Sequence, residues 1–241
     1  MRARVPGGVV SARPIIFGAD SVRAIFACTK TQTRRIVTDA TSQGNWRASD
    51  LDLSRAWVDA GPSPAGNPGP YLHAPPTAKA LERRGHPADD AVVDRLYPRW
   101  FPGDRLWVRE AFRQSDGSMS VHYRADLDEV SGGPWRPSIH MPRWASRLTL
   151  EITEVRAQRL QEITEEDARA EGARYYADIP AGPYGDSGTR WSMHDDHPPN
   201  TDHCFSNARL AFGRAWNGIN VKRAPWANNP WVWALTFERM A

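Results

Sequence analysis

Lysine is scarce in this sequence: of 31 basic residues, all but Lys30, Lys79 and Lys222 are arginine. Lysine can give up its proton in a buried site and become a base or nucleophile, and arginine cannot. Lys30 has the most suggestive surroundings of the three. It opens the run Lys30-Thr31-Gln32-Thr33-Arg34-Arg35, where burial beside a second cation would lower its pKa. A second set combines Arg34, Arg35, Arg143 and Arg147 with Trp107, Trp135 and Trp144, side chains suited to phosphate contact and base stacking. The plainer alternative is that the tryptophans, 11 in all, fill the core while the arginines cover the surface. A third set, His194-x-x-His197 followed by His203 and Cys204, has zinc-compatible spacing, with Asp195, Asp196 and Asp202 as further donors. It lies in a polar stretch rich in Pro and Asp, where histidine is often merely solvated, and neither a metal nor a cofactor is expected. There is no G-x-S-x-G elbow, H-E-x-x-H pair or Gly-rich phosphate loop.

The elements that would position Lys30 can be read from periodicity. The apolar run from Pro14 to Phe17 predicts a strand. Asp20 is a candidate N-cap for a helix carried by Val22, Ile25, Phe26 and Thr29. That helix should end near Lys30, because Thr31, Thr33, Ile36 and Val37 favour extended backbone. From Thr38 to Arg99 the pattern dissolves around Gly61 to Pro70, which predicts a long inserted loop with at most a short helix from Ala78 to Arg84. Pro102-Gly103-Asp104 predicts a turn before a strand from Arg105 to Glu110, with Val121 to Arg124 as its expected hairpin partner. Arg147 to Ile152 alternates as a strand, with a change of phase at Val155. Thr164-Glu165-Glu166-Asp167 is a capping-box pattern, with Ile163 and Ala168 as a staple and Gly172 as the stop, so Glu171 falls at the helix end. A second loop-like insertion runs from Arg174 to His203. Phe205, Ala208, Phe212, Ala215 and Trp216 mark a helical face with Gly218 as its end, and Trp231 to Phe237 reads as a strand buried on both faces.

The chain has 241 residues, 40% hydrophobic, with 28 acidic side chains against the 31 basic ones. That fits a single domain over 1–241 with a substantial core. No apolar run reaches the roughly 18 residues that span a bilayer, and no signal-peptide core precedes Asp20, so a protein of a reducing cytoplasm with no membrane partner is expected. Cys28 and Cys204 cannot build a disulfide framework. A net charge of +3 does not by itself indicate a nucleic-acid partner.

The order of elements, with Lys30, Thr31, Thr33 and Arg35 in a K-T-x-T-x-R run, Gly103-Asp104 before a strand, Ala168 and Glu171 after Ile163-Thr164-Glu165, and the last strand from Trp231 to Phe237, resembles the ASCH domain family of the PUA-like superfamily. The resemblance covers about half the chain. Over its whole length, including Trp107 to Glu110 and Ser138 to Trp144, the chain also resembles a group of bacteriophage and prophage proteins, with the bacterial host cytoplasm as the implied location. It implies an α+β fold, a small mixed β-barrel with two or three flanking helices and two long insertions, 38–99 and 174–203. Bacterial ASCH members include amidohydrolases that remove the acetyl group from acetylated cytidine with a lysine, a threonine and a glutamate. By motif these become Lys30, Thr33 and Glu171. The family usually has glycine two residues before the lysine, where this chain has Cys28.

Amide hydrolysis needs an activated water or nucleophile, a donor to the developing oxyanion and an acid for the leaving amine. Lys30 could serve as base or nucleophile, Thr33 as orienting group or oxyanion donor, and Glu171 as the proton shuttle. Arg34, Arg35, Trp107, Arg143 and Trp144 are then the expected substrate-binding residues, and a nucleoside or nucleic acid with a modified cytosine is the expected partner. The plainer alternative makes Lys30 a charge at a helix C-terminus, Thr33 an ordinary strand residue and Glu171 a solvated carboxylate. Two other functions stay open: a non-catalytic module that binds RNA or a modified base, and a structural phage protein. The insertions, with Tyr71 and Trp191 as aromatic anchors, are expected to close over the pocket as lids.

Overall fold

A computed structural model describes residues 12–37, 47–59, 70–87, 93–114, 120–126, 134–179, 188–194 and 204–240. The elements in chain order are β1 (Ala12–Ile16), α1 (Ala19–Phe26), β2 (Gln32–Ile36), β3 (Trp57–Asp59), β4 (Tyr71–Ala74), α2 (Ala78–Arg83), β5 (Asp94–Leu96), β6 (Arg105–Arg109), β7 (Phe112–Gln114), β8 (Val121–Tyr123), β9 (Thr149–Arg159), α3 (Glu165–Ala170), β10 (Arg174–Ile179), β11 (Gly188–Ser192), α4 (Ala208–Asn220) and β12 (Trp231–Arg239). The class is mixed α+β.

A five-stranded sheet in the order β1-β6-β9-β12-β2 organises the molecule. Only β1 and β6 run parallel; the other neighbours are antiparallel. Among the described residues the sheet is open, with β1 and β2 at its two edges, so a closed barrel is not what the backbone forms. Side chains approach where the ladder does not: Arg35 on β2 donates from Nη2 to Ile16 O at 2.8 Å, and its guanidinium lies over the Phe17 ring.

β12 is central and buried on both sides. Trp231, Trp233, Leu235 and Phe237 join one apolar cluster and Val232 joins the other. The change of phase at Val155 has a direct cause. Thr236 pairs with Glu154 but Phe237 pairs with Ile152, so Thr153 is the extra residue of a bulge, and Thr153 and Glu154 are both exposed.

Several expectations are corrected. α1 takes Gly18, not Asp20, as its N-cap residue. The partner of β8 is β7, because Arg105 to Arg109 is already paired on both sides, with β1 and β9. The stretch 38–99 is more than a loop: β3, β4 and β5 form a small antiparallel sheet, and Leu72, Ala74, Leu81 and Leu96 enter the main core. In the second insertion β10 and β11 form a hairpin. Helix α4 passes through Gly218 to Asn220, and it starts from a double cap: Asn207 accepts from Leu210 N, while Glu165 of α3 accepts from Ala208 N and Arg209 N. That second contact lays α4 beside α3. Gly61 to Gly69, the centre of the first insertion, lies outside the described residues.

Candidate active site

Two helix ends converge to make the site. α1 closes in a Schellman motif, with Thr29 N–H donating to Ala24 O at 2.9 Å and Cys28 N–H to Ile25 O at 3.1 Å. Cys28 holds the left-handed position of that motif, at φ +57°. This is the place where glycine is ordinarily found. α3 closes in the same way, with Ala173 N–H to Ala168 O at 3.1 Å, Gly172 N–H to Arg169 O at 2.8 Å and Gly172 at φ +104°. Thr164 caps the helix by accepting from Asp167 N, and Ile163 and Ala168 are buried together. The two ends are joined by Thr31 N–H donating to Ala170 O at 2.8 Å, and Thr31 O accepts from Phe237 N of β12. A Cβ added at Gly172 would stand 3.6 Å from the Cβ atoms of Ala24 and Lys30, so the backbone of α3 passes close against the lysine.

This junction fixes Lys30 and Glu171, 141 residues apart in sequence, face to face. The Lys30 Nζ donates to Glu171 Oε2 at 2.7 Å and to Glu171 O at 2.6 Å. Both side chains are about 4% exposed. The other Glu171 oxygen, Oε1, accepts from Arg34 Nη1 at 3.1 Å, and Arg34 Nη2 donates to Asp167 at 2.8 Å. The Asp167 carboxylate also takes Arg156 at 2.9 Å. Lys30 does sit at a helix C-terminus, but at that of α3 and not of its own helix. Glu171 is buried and doubly paired, not solvated.

Burial pushes the Lys30 ammonium below its ordinary value; the Glu171 carboxylate opposes that shift, and the charges of Arg35 and Arg34 add to it. Burial pushes the Asp167 carboxyl up, but the hydrogen bond from Arg156 and the charges of Arg34 and Arg156 outweigh it and hold the group low.

Thr33 completes the set. It is buried on β2, pairs with Leu235 in the ladder and makes no side-chain hydrogen bond among the described residues. Lys30, Thr33, Arg34, Arg35 and Glu171 line one cavity of about 370 Å³ at the free edge of β2. Phe17, Trp233, Phe212 and Trp216 supply flat apolar walls from both sides of the sheet. The size and mixed lining suit a small aromatic ligand.

Three expected binding residues lie elsewhere. Trp107, Arg143 and Trp144 do not line the cavity. The Trp107 ring is approached by the guanidinium groups of Arg109 and Arg143, at 5.4 and 5.6 Å, and Trp144 is 60% exposed on a separate surface. Trp107 lies on β6, which is paired with β1 and β9 and not with β2. The reading of tryptophan as core holds for Trp216, Trp231 and Trp233. Of the expected lid anchors, Tyr71 is buried against Tyr97 within its own small sheet, and Trp191 lines a different groove beside Cys28. Each insertion nonetheless gives the cavity one residue, Arg99 and Met193. His197 and His203 lie outside the described residues. Among the described ones no group of three or more His, Cys, Asp and Glu could hold a metal.

Sequence reasoning missed Phe17, Arg99, Trp100, Phe212, Trp216, Arg223 and Trp233 as cavity residues. Trp233 is notable because its indole Nε1 is buried without an acceptor among the described residues. Two-sided burial of β12 was readable, but which side met a cavity was not. No family model, no curated protein and no solved structure matches this chain.

Proposed function

We propose that the cavity hydrolyses an amide, removing an acyl group from the exocyclic amine of an N-acylated cytosine, and that the open sheet is a variant of the small PUA-like barrel. The observation that carries this reading is the meeting of Lys30, Thr33 and Glu171 in one buried cavity, with a 2.7 Å hydrogen bond between the first and last.

The chemistry balances with these three side chains and one water. A proton passes from the Lys30 ammonium to the Glu171 carboxylate along their hydrogen bond, leaving a neutral amine and a carboxylic acid. The amine takes a proton from water as the hydroxide adds to the acyl carbon. The Thr33 hydroxyl donates to the oxyanion. Glu171 then gives its proton to the exocyclic nitrogen as the C–N bond breaks, and the original ion pair is restored. Burial favours release of the proton by Lys30, because it disfavours the ammonium charge. Arg34, on the far oxygen of Glu171, holds the carboxyl in place.

The test is a panel of N4-acetyl-, N4-propionyl- and N4-benzoylcytidine incubated with the purified protein, with cytidine release followed by chromatography. Release that Lys30→Met abolishes is the expected result, and no release from any member overturns the proposal. A second reading, a non-catalytic pocket for a modified base, is favoured by the mutual engagement of Lys30 and Glu171, which a fixed dipole would also show. Binding of acylcytidine without turnover would support it.

A further inference from the structure

The charged side chains that line the cavity fall into an inner and an outer group. On the floor, Glu171 is the sole carboxylate among the described lining residues, and Lys30 and Arg34 already pair with it. At the mouth stand two exposed arginines from distant parts of the chain: Arg99, at the end of the first insertion, and Arg223, just after α4. Neither side chain has a hydrogen-bond or ion-pair partner among the described residues. Both backbones are tied down, Arg99 O accepting from Arg13 Nη1 at 2.7 Å and Arg223 N donating to Asn220 O at 2.9 Å. Trp100, half-buried beside Arg99, extends the apolar wall outward. Arg223 and Ile36 are also shared with a neighbouring groove of about 490 Å³ that carries Arg159 and Asn228. The site therefore continues past its mouth along a second basic concavity.

Resting on the reading of the floor as an acylcytosine site, we infer that the substrate carries a phosphate ester: the base enters the cavity while Arg99 and Arg223 hold a phosphate on the attached sugar. A free nucleoside would leave both guanidinium groups without an anion. Guanidinium is suited to the task, since its planar donors meet phosphate oxygens in pairs. The phosphate belongs either to a mononucleotide or to a strand that continues into the second groove, and the chemistry at the two arginines is the same.

The test needs no turnover. Cytidine, cytidine 5′-monophosphate, cytidine 3′-monophosphate and a trinucleotide with central cytidine are titrated by calorimetry into the intact chain and into its Arg99→Gln/Arg223→Gln variant. At low salt one or both monophosphates should bind about tenfold more tightly than cytidine. That advantage should shrink at 0.5 M salt, where exposed charges are screened, and collapse toward one in the double variant. A further gain for the trinucleotide assigns the phosphate to a strand; equality with the better monophosphate assigns it to a nucleotide. The inference is overturned if phosphorylated forms bind no more tightly than cytidine, or if their advantage survives in the variant. Failure of the acylcytidine panel with the phosphate preference intact would overturn the deacylase reading alone.

Discussion

The ammonium of Lys30 is pulled in two directions: burial disfavours its charge, and Glu171 favours it. Lys30→Met keeps the length of the side chain and removes the amine. Because Arg34 still holds Glu171, the carboxylate is not left alone, and the variant should fold with a loss below the about 3–5 kcal/mol typical of orphaning a buried charge. Deacylation should fall by at least about 100-fold, the lower end for loss of a general base. Rates and a thermal melt on the same preparation check both, and a folded, active variant would remove Lys30 from the chemistry. Cys28 gives a prediction of opposite sign. Its φ of +57° costs a residue with a Cβ about 1–2 kcal/mol, so Cys28→Gly should stabilise the protein by about 1 kcal/mol, a rise of about 2–4 °C in Tm; an unchanged or lower Tm would count against this account of the turn. Lys30 stands out in the sequence as a lysine among arginines. Its pairing with Glu171 was not readable there, because a contact across 141 residues leaves no periodic trace; only the family resemblance joined the two. The left-handed turn at Cys28 was hidden for a different reason, since cysteine is not a residue that signals such a turn.

Long elements were readable and short ones were not. β9 and β12 run long enough for alternation, two-sided burial and even the change of phase at Val155 to register. The strands of the first insertion have three or four residues each, too few for a period to repeat, and β4 is buried throughout, so it does not alternate at all. α3 has only six residues, yet its cap residues announced it. Its stability draws on Asp167, which accepts from Arg34 and Arg156. A carboxylate held below its ordinary 3.8 adds stability that is complete above that value and is lost as pH falls through the lower, folded value. Asp167→Asn should therefore cost about 1.5–3 kcal/mol near neutral pH, the range for a hydrogen bond to a charged group, and should flatten the decline in stability below pH 4. Urea midpoints at pH 7, 4 and 3 measure this. Parallel curves for the two proteins would show that Asp167 does not carry the acid sensitivity. Gly172→Ala tests the same helix end: at φ +104° any side chain is strained even though its neighbours leave room for a methyl group, and about 1–2 kcal/mol of stability should be lost together with activity, since Glu171 is the adjoining residue. Full activity in that variant would separate the turn from the site.

Across the whole molecule, two apolar clusters share β12, which gives Trp231, Trp233, Leu235 and Phe237 to one and Val232 to the other. A strand common to both cores couples them: losing either cluster removes the support of the other. Phe212 on α4 belongs to one cluster and to the cavity wall, and Arg34 lies over its ring at 5.7 Å. Leu150 on β9 belongs to the other cluster, is fully buried and pairs with Leu106 away from the cavity. Phe212→Ala should cost about 3–5 kcal/mol and Leu150→Ala about 2–5 kcal/mol. Each should lower a single calorimetric transition whose measured and van't Hoff enthalpies agree. Two separated transitions in either variant would show that β12 does not couple the clusters. Their effects on the site should differ even so. Well below the melting midpoint, Phe212→Ala should raise KM for acylcytidine by removing a wall, whereas Leu150→Ala should leave KM unchanged. Equal KM changes would mean that the cavity depends on overall packing and not on the ring that borders it.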